Sequence, residues 1–390
     1  MNLNNWCAKH LEALAQQQLQ RTLQPSPLAG RNLDFSSNDY LCLSQHPDVI
    51  AAGMQCAQEY GAGSTGSRLL SGNLACFDAL ETQLAEFKRA EAALVFSSGY
   101  QTNASALAAI LDKTLWNNTE PLVLTDRLNH ASLHAGCHMA GIKQIRFRHN
   151  DMAHLAELLH KHATPNRPTL IVSETVFGMD GDLLPIEPLA QLALKHNAIV
   201  FLDEAHATGI WGPEGRGLGA IDTPAIQALK RAGHWVIMGT FSKAVGVSGA
   251  YIACSAILKH YLINRSAGFV YSTAPSPFVV GAVGKALELI PHMHTERAHL
   301  HTMANTLRER LANIGFHTGA SNTHIVPLHV GSAANALHLK NHLLRAGIRS
   351  SAIRPPTVPP NTARLRLALN VGHTSVTIDT LCGALSTQTP

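Results

Sequence analysis

The sequence predicts an α/β fold: a large domain built on a mostly parallel sheet flanked by helices, with a small C-terminal α+β domain and a short N-terminal segment. Three observations predict it. Short apolar runs alternate with helical stretches, and each run ends abruptly in polar or glycine-rich residues. After about residue 290 that texture changes. The expected boundaries are 1–45 for the N-terminal segment, 46–289 for the large domain and 290–390 for the C-terminal domain.

The first 21 residues, "MNLNNWCAKHLEALAQQQLQR", are polar and Gln-rich and read as an amphipathic helix; without an apolar h-region they are not a signal peptide. "AALVFSSGYQTN" (92–103) is the first clear strand-to-turn run, and the helical "ASALAAILDK" follows it. The pattern repeats in "PLVLTDRLNHASLHAG" (121–136), "TLIVSETVFGMDGD" (169–182), "AIVFLDEAHATG" (198–209) and "WVIMGTFSK" (235–243). Helical stretches such as "DMAHLAELLHKH" and "IEPLAQLALKHN" lie between them. Beyond residue 290 a helical segment leads to "HIVPLHVG" (324–331), the helix "ANALHLKNHLLRAG", the stretch "IRSSAIRPPTVPPNTARLRLALN" and a final helix.

Composition narrows the function classes. With 390 residues, 46% hydrophobic and 14% charged, the chain can bury a large core and carries no disorder signature. A net charge of +4 is too weak and dispersed for a nucleic-acid surface. The seven cysteines form no CxxC pair, and their odd number argues against a complete disulfide framework. With no long apolar run to span a membrane, a cytoplasmic enzyme is expected. Histidines number 23, and His292, His294, His299 and His301 fall on one predicted helix. Without an HExxH or Cys/His knuckle they read as a solvated helix face, and no metal is expected.

The chemistry gathers at the strand ends, where open α/β sheets bind ligands. Lys243 follows the apolar run 234–238 and a Gly-Thr-Phe-Ser turn, its one charge set among apolar and small residues. A snorkelling surface lysine is the ordinary reading; the other is a partly desolvated amine able to form a Schiff base with a carbonyl. Asp203 closes a buried strand, where a carboxylate needs a helix cap or a cationic partner. Gly99 lies where a strand turns into a helix, and backbone N–H groups at a helix start bind phosphate. A Schiff-base lysine, an acid opposite a protonated ring nitrogen and a phosphate cradle together fit pyridoxal phosphate (PLP).

"DEAHATGIWGPEGRG" followed by "GTFSKAVGVSGA" closely resembles the α-oxoamine synthases, a fold-type-I PLP-dependent family. "FSSNDYLCLSQHP", "GSRLLSGN", "FSSGYQTN", "DRLNHASLHAG", "RFRHNDMAHL", "FGMDGD" and "YSTAPSP" extend the resemblance over nearly the whole chain. It implies that Lys243 binds the cofactor covalently, Asp203 pairs with the pyridine nitrogen, His130 stacks on the ring and His206 bonds its phenolic oxygen. Gly99, Tyr100 and Thr240 would hold the phosphate, with Ser272 and Thr273 contributing from the neighbouring subunit of a homodimer. Arg366 would take an amino-acid carboxylate, assisted by Asn38, while Arg21, Arg354 and Thr357 would face the acyl substrate. One departure stands out: Gly178 occupies a position where the family often has a serine that bonds the phenolic oxygen.

Within the family, "SAIRPPTVPPNTARLRLALN" is similar to members that condense L-alanine with a pimeloyl thioester, carried by coenzyme A or acyl carrier protein, on the route to biotin. The alternative is another member of the family, joining glycine to a short acyl-CoA.

Overall fold

In the computed structural model, residues 2–25 and 33–388 are described. The segments assigned to 1–45 and 290–390 therefore include residues 1, 26–32 and 389–390, which lie outside the described residues. The chain groups into two compact units. The larger comprises Asp39–Phe177 and Leu183–Arg297; the smaller comprises Met1–Asn38, Gly178–Asp182 and Ala298–Pro390.

The larger unit is built on a seven-stranded sheet. Its strands are β1 (Ala92–Phe96), β2 (Leu122–Asp126), β3 (Gln144–Phe147), β4 (Thr169–Glu174), β5 (Ile199–Asp203), β6 (Trp235–Thr240) and β7 (Ala250–Cys254). They run in the order β1-β7-β6-β5-β4-β2-β3. Strands β2 to β6 pair in parallel, and β7 alone is reversed, antiparallel to both β1 and β6. The fold class is the one expected from the alternating runs. β2, β4 and β6 are buried throughout and β5 from its second residue, which is why they read as continuous apolar runs rather than alternating ones. Register sets Asp203 opposite Glu174 on one side and Met238 on the other, so these strands end together at the sheet's carboxyl edge.

Helices Gly99–Ile110 and Ala131–Met139, both opening at that edge, pack closely because Gly136 has no side chain. A Cβ there would lie 2.7 Å from Leu107 Cβ and 2.9 Å from the Asn103 carbonyl.

The smaller unit holds a three-stranded antiparallel sheet, β8 (Ile325–Gly331), β10 (Ala363–Ala368) and β9 (Ser351–Ile353), in the order β8-β10-β9. The N-terminal residues belong to this sheet's surroundings: Phe35 N donates to the Arg349 carbonyl at 2.9 Å and its carbonyl accepts from Ala368 N at 2.8 Å. The predicted N-terminal helix forms over Leu3–Gln16, with Leu3, Trp6 and Leu11 exposed and none of its residues buried. The histidine row needs a correction. His299 is half-buried and its Nε2 donates to the His373 carbonyl at 2.7 Å, so it does not lie on a solvated face. Among the described residues no group of His, Cys, Asp and Glu is arranged to hold a metal, and no helix is long and apolar enough to cross a membrane.

The close helix contact yields a prediction. Gly136→Ala should force the two helices apart at Asn103 and cost about 1–3 kcal/mol, as overpacking does, measured by denaturant unfolding. Unchanged stability would show that the contact yields freely.

Candidate active site

The turn after β5 carries two of the expected residues. Asp203 is only 5% exposed, and its carboxylate is held on both oxygens: Oδ1 accepts from Ala205 N at 2.8 Å and Oδ2 from Asn103 Nδ2 at 2.7 Å. A buried carboxylate needs such donors, because an unpaired one would cost several kcal/mol or take up a proton. Asn103 comes from the first turns of helix Gly99–Ile110, and its Nδ2 also reaches Ser132 Oγ at 2.9 Å.

Ser132 continues the chain of hydrogen bonds to His130. The His130 Nδ1 lies 2.7 Å from Ser132 Oγ and accepts from Ser132 N at 3.3 Å, while the His130 backbone N donates to Glu174 Oε1 at 2.6 Å. An Nδ1 occupied as acceptor puts the ring proton on Nε2. Burial, opposed by the Asp203 charge and reinforced by Lys243 and His134, lowers the His130 pKa and so favours the uncharged ring. His130 and Asp203 are thereby linked through two residues that sequence reasoning did not single out, Ser132 and Asn103. Both lay inside quoted motifs, "NHAS" and "SSGYQTN", but only the folded helices show that they meet.

Lys243 lies in the turn after β6, half-buried, with Nζ 2.8 Å from His206 Nε2. The other ring nitrogen of His206 is 2.6 Å from Tyr40 Oη, and both His206 and Tyr40 are buried. The sequence reading paired His206 with a phenolic oxygen of the cofactor; here its Nε2 meets the lysine amine and Tyr40 orients the ring. Tyr40 was also missed, although it stands in "SSNDYL".

Gly99 and Tyr100 open helix Gly99–Ile110, with Ser98 as N-cap. A Cβ on Gly99 would stand 3.1 Å from the Met238 methyl and 3.6 Å from Thr240, so the helix start approaches β6 closely. Thr240 Oγ1 donates to the Gly249 carbonyl at 2.9 Å and is 2.9 Å from Ser242 Oγ. Ser272 Oγ accepts from Gln101 Nε2 at 2.6 Å, and Ser97 Oγ donates to the Thr273 carbonyl at 3.0 Å. Ser272 and Thr273 thus stand beside the helix start of their own chain.

The smaller unit gathers the expected substrate residues in two places. Arg21 Nη2 donates to Thr357 Oγ1 at 3.2 Å, and Arg354 is tied to the carbonyls of Gln18 and Gln20. Arg354 is buried, and burial together with the nearby Arg21 charge lowers its pKa. Arg21, far from Arg354 and Thr357 in sequence, therefore joins them in one cluster. In the second place, Arg366 is buried and its Nε donates to the Gly178 carbonyl at 2.5 Å. Gly178 has no positive φ; that conformation belongs to Gly181, three residues on, where a Cβ would strike the Ile325 carbonyl. Asn38 is half-buried at the end of the smaller unit's first segment.

The donor set in the larger unit fits PLP. A hydroxyl-rich helix N-terminus suits a dianionic phosphate, a buried carboxylate suits a protonated ring nitrogen, and a lysine amine suits an aldehyde. Residues 31–385 match the aminotransferase class I and II family. The 8-amino-7-oxononanoate synthase of Gluconacetobacter diazotrophicus is 44% identical over 385 residues, covering 96% of this chain and 94% of its own. A Sphingomonas wittichii serine palmitoyltransferase structure is similar with a TM-score of 0.87 at 27% identity, covering 99% of this chain and 98% of its own. A further SPT structure, with a TM-score of 0.87 at 26% identity over 99% of this chain and 98% of its own, contains PLP. Pyridoxal phosphate is the cofactor. The chain belongs to the aminotransferase class I and II family, as a fold-type-I acyltransferase of its α-oxoamine synthase branch.

Proposed function

We propose that this chain condenses L-alanine with a pimeloyl thioester, borne by coenzyme A or acyl carrier protein, to give 8-amino-7-oxononanoate, carbon dioxide and the free thiol in biotin synthesis. The observation that carries this choice of substrate is the cluster of Arg21, Arg354 and Thr357. Two guanidinium groups beside a hydroxyl call for an anion. A pimeloyl chain ends in a carboxylate, whereas the acetyl group of the alternative reaction offers none.

When bound, the cofactor supplies an aldehyde that captures the alanine amine and a ring that accepts the electron pair left at Cα. The residues do the rest. Asp203 holds a proton on the ring nitrogen, its charge kept available by Asn103 and the Ala205 N–H. His130 would lie against the ring. Lys243 Nζ takes the alanine Cα proton, and His206 Nε2, 2.8 Å away, gives that proton a second acceptor. Arg366 takes the alanine carboxylate with its terminal nitrogens, its Nε being fixed by the Gly178 carbonyl, and Asn38 assists. Gly99, Tyr100 and Thr240 hold the phosphate, and Gly178 brings no side-chain donor to the phenolic oxygen. A bond then forms between alanine Cα and the thioester carbonyl, the thiolate leaves, and the resulting β-keto acid loses its carboxyl as carbon dioxide, the carbon taking back the proton held by Lys243.

The same reading makes the enzyme a cytoplasmic homodimer whose seam passes Ser272 and Thr273, which bond residues beside the helix start of their own chain. The 86% exposure of the neighbouring Tyr271 supports a covered surface there.

A product assay tests the reaction. Alanine with pimeloyl thioester should give 8-amino-7-oxononanoate, whereas turnover only with glycine and acetyl-CoA would overturn the reading. Arg354→Ala and Arg21→Ala should each raise the KM for the acyl thioester about ten- to a hundredfold, the worth of a hydrogen bond to a charged group. The alanine KM should stay near its original value. A rise confined to alanine would move these arginines to the other half of the reaction.

A further inference from the structure

Behind the turn that carries Asp203 and His206 lies an ion pair that no step above uses. Lys88, the last residue of helix Cys76–Lys88, and Glu204 have fully buried side chains. The Lys88 ammonium donates to Glu204 Oε2 and to the Arg216 carbonyl, and Glu204 Oε1 accepts from Gly219 N at 2.7 Å. Gly217 has φ +93°, and a side chain there would occupy the place of this pair. A buried pair of this kind is seldom more stabilising than apolar residues of the same volume, so stability alone does not account for it.

Its surroundings do. Glu204 directly follows Asp203, and its carbonyl accepts from Ala207 N and Thr208 N at 2.9 Å, closing the turn that holds His206. Tyr251 is fully buried, its hydroxyl 2.8 Å from Thr208 Oγ1, at the far end of the same turn. The Lys88 ammonium lies 5.9 Å from the centre of the Tyr251 ring; burial pulls the ammonium's pKa down, but Glu204 and Tyr251 outweigh it and the net shift is upward. The Tyr251 ring stacks on Phe241 with centroids 5.4 Å apart, two residues before Lys243. Glu204 and Tyr251, which flank one buried cation, therefore touch both catalytic turns.

We propose that Lys88 and Glu204 are positioning residues, holding the Asp203–His206 turn and the Lys243 turn in fixed relation. The inference rests on the proposed reaction, but one arm of its test does not. The double variant Lys88→Met with Glu204→Gln removes both charges and keeps an acceptor for Gly219 N. In the cofactor-free protein, amide exchange at 203–208 and 240–247 should become about tenfold faster or more, while β4, as an internal reference, keeps its protection. In the holoenzyme kcat should fall about ten- to a hundredfold, the cost of a small misplacement, with the alanine KM little changed and the cofactor's visible band shifted. Tyr251→Phe, which cuts only the hydroxyl link to Thr208, keeps the ring stack and serves if the double variant does not fold; faster exchange at 205–208 is expected. Unchanged exchange in a folded variant would overturn the proposal, whatever the enzyme's substrates prove to be. Faster exchange with unchanged kcat would also overturn it, by making the pair purely structural.

Discussion

The carboxylate of Asp203 is the constraint on which the site depends. It stands at the end of a strand whose preceding four residues are buried or half-buried apolar side chains, and such a place admits a charge only if donors surround it. Asn103 and the Ala205 N–H meet that demand, one on each oxygen. Asn103 can reach only because the helix bearing it opens at the same sheet edge and packs against helix Ala131–Met139 through Gly136. Gly99, proposed to cradle the phosphate, starts that very helix, so the acid and the proposed cradle are set by one rigid element.

Much of the larger unit was legible as sequence, because five strands are apolar runs that end in chemistry-bearing turns. β3 was not. Its residues Gln144–Phe147 are mostly half-buried or exposed, at the sheet's edge, so no continuous apolar signal marks them. β7 escaped because Ala250–Cys254 follows directly on a run of glycine, serine and valine that reads as close-packed loop. Its reversal, antiparallel to β6, cannot be read from periodicity, which is the same for both directions. The residues up to Asn38 group with the C-terminal ones through backbone pairing at Phe35, a long-range contact without a local signature.

The site divides along the same line. Asp203, His206, Lys243 and Gly99 were recognisable since each sits beside a strand end, where position itself carries information. Tyr40, Asn103 and Ser132 act through other residues, and polar side chains of that kind are common in turns and helix starts. Arg21 was the least placeable from sequence, in a helical stretch with few distinguishing neighbours; its pairing with Thr357 spans most of the chain. The missing serine at Gly178 carries no backbone constraint, since the positive φ lies at Gly181, where a side chain would strike the Ile325 carbonyl.

The central claim is that the amine resting on His206 is the one that holds the cofactor. Borohydride reduction of the holoenzyme, followed by peptide mapping, tests it most directly. The account predicts a single pyridoxyl label on Lys243, with Lys243→Ala retaining the cofactor only non-covalently. Label on any other lysine, or undiminished covalent label in the alanine variant, would contradict it.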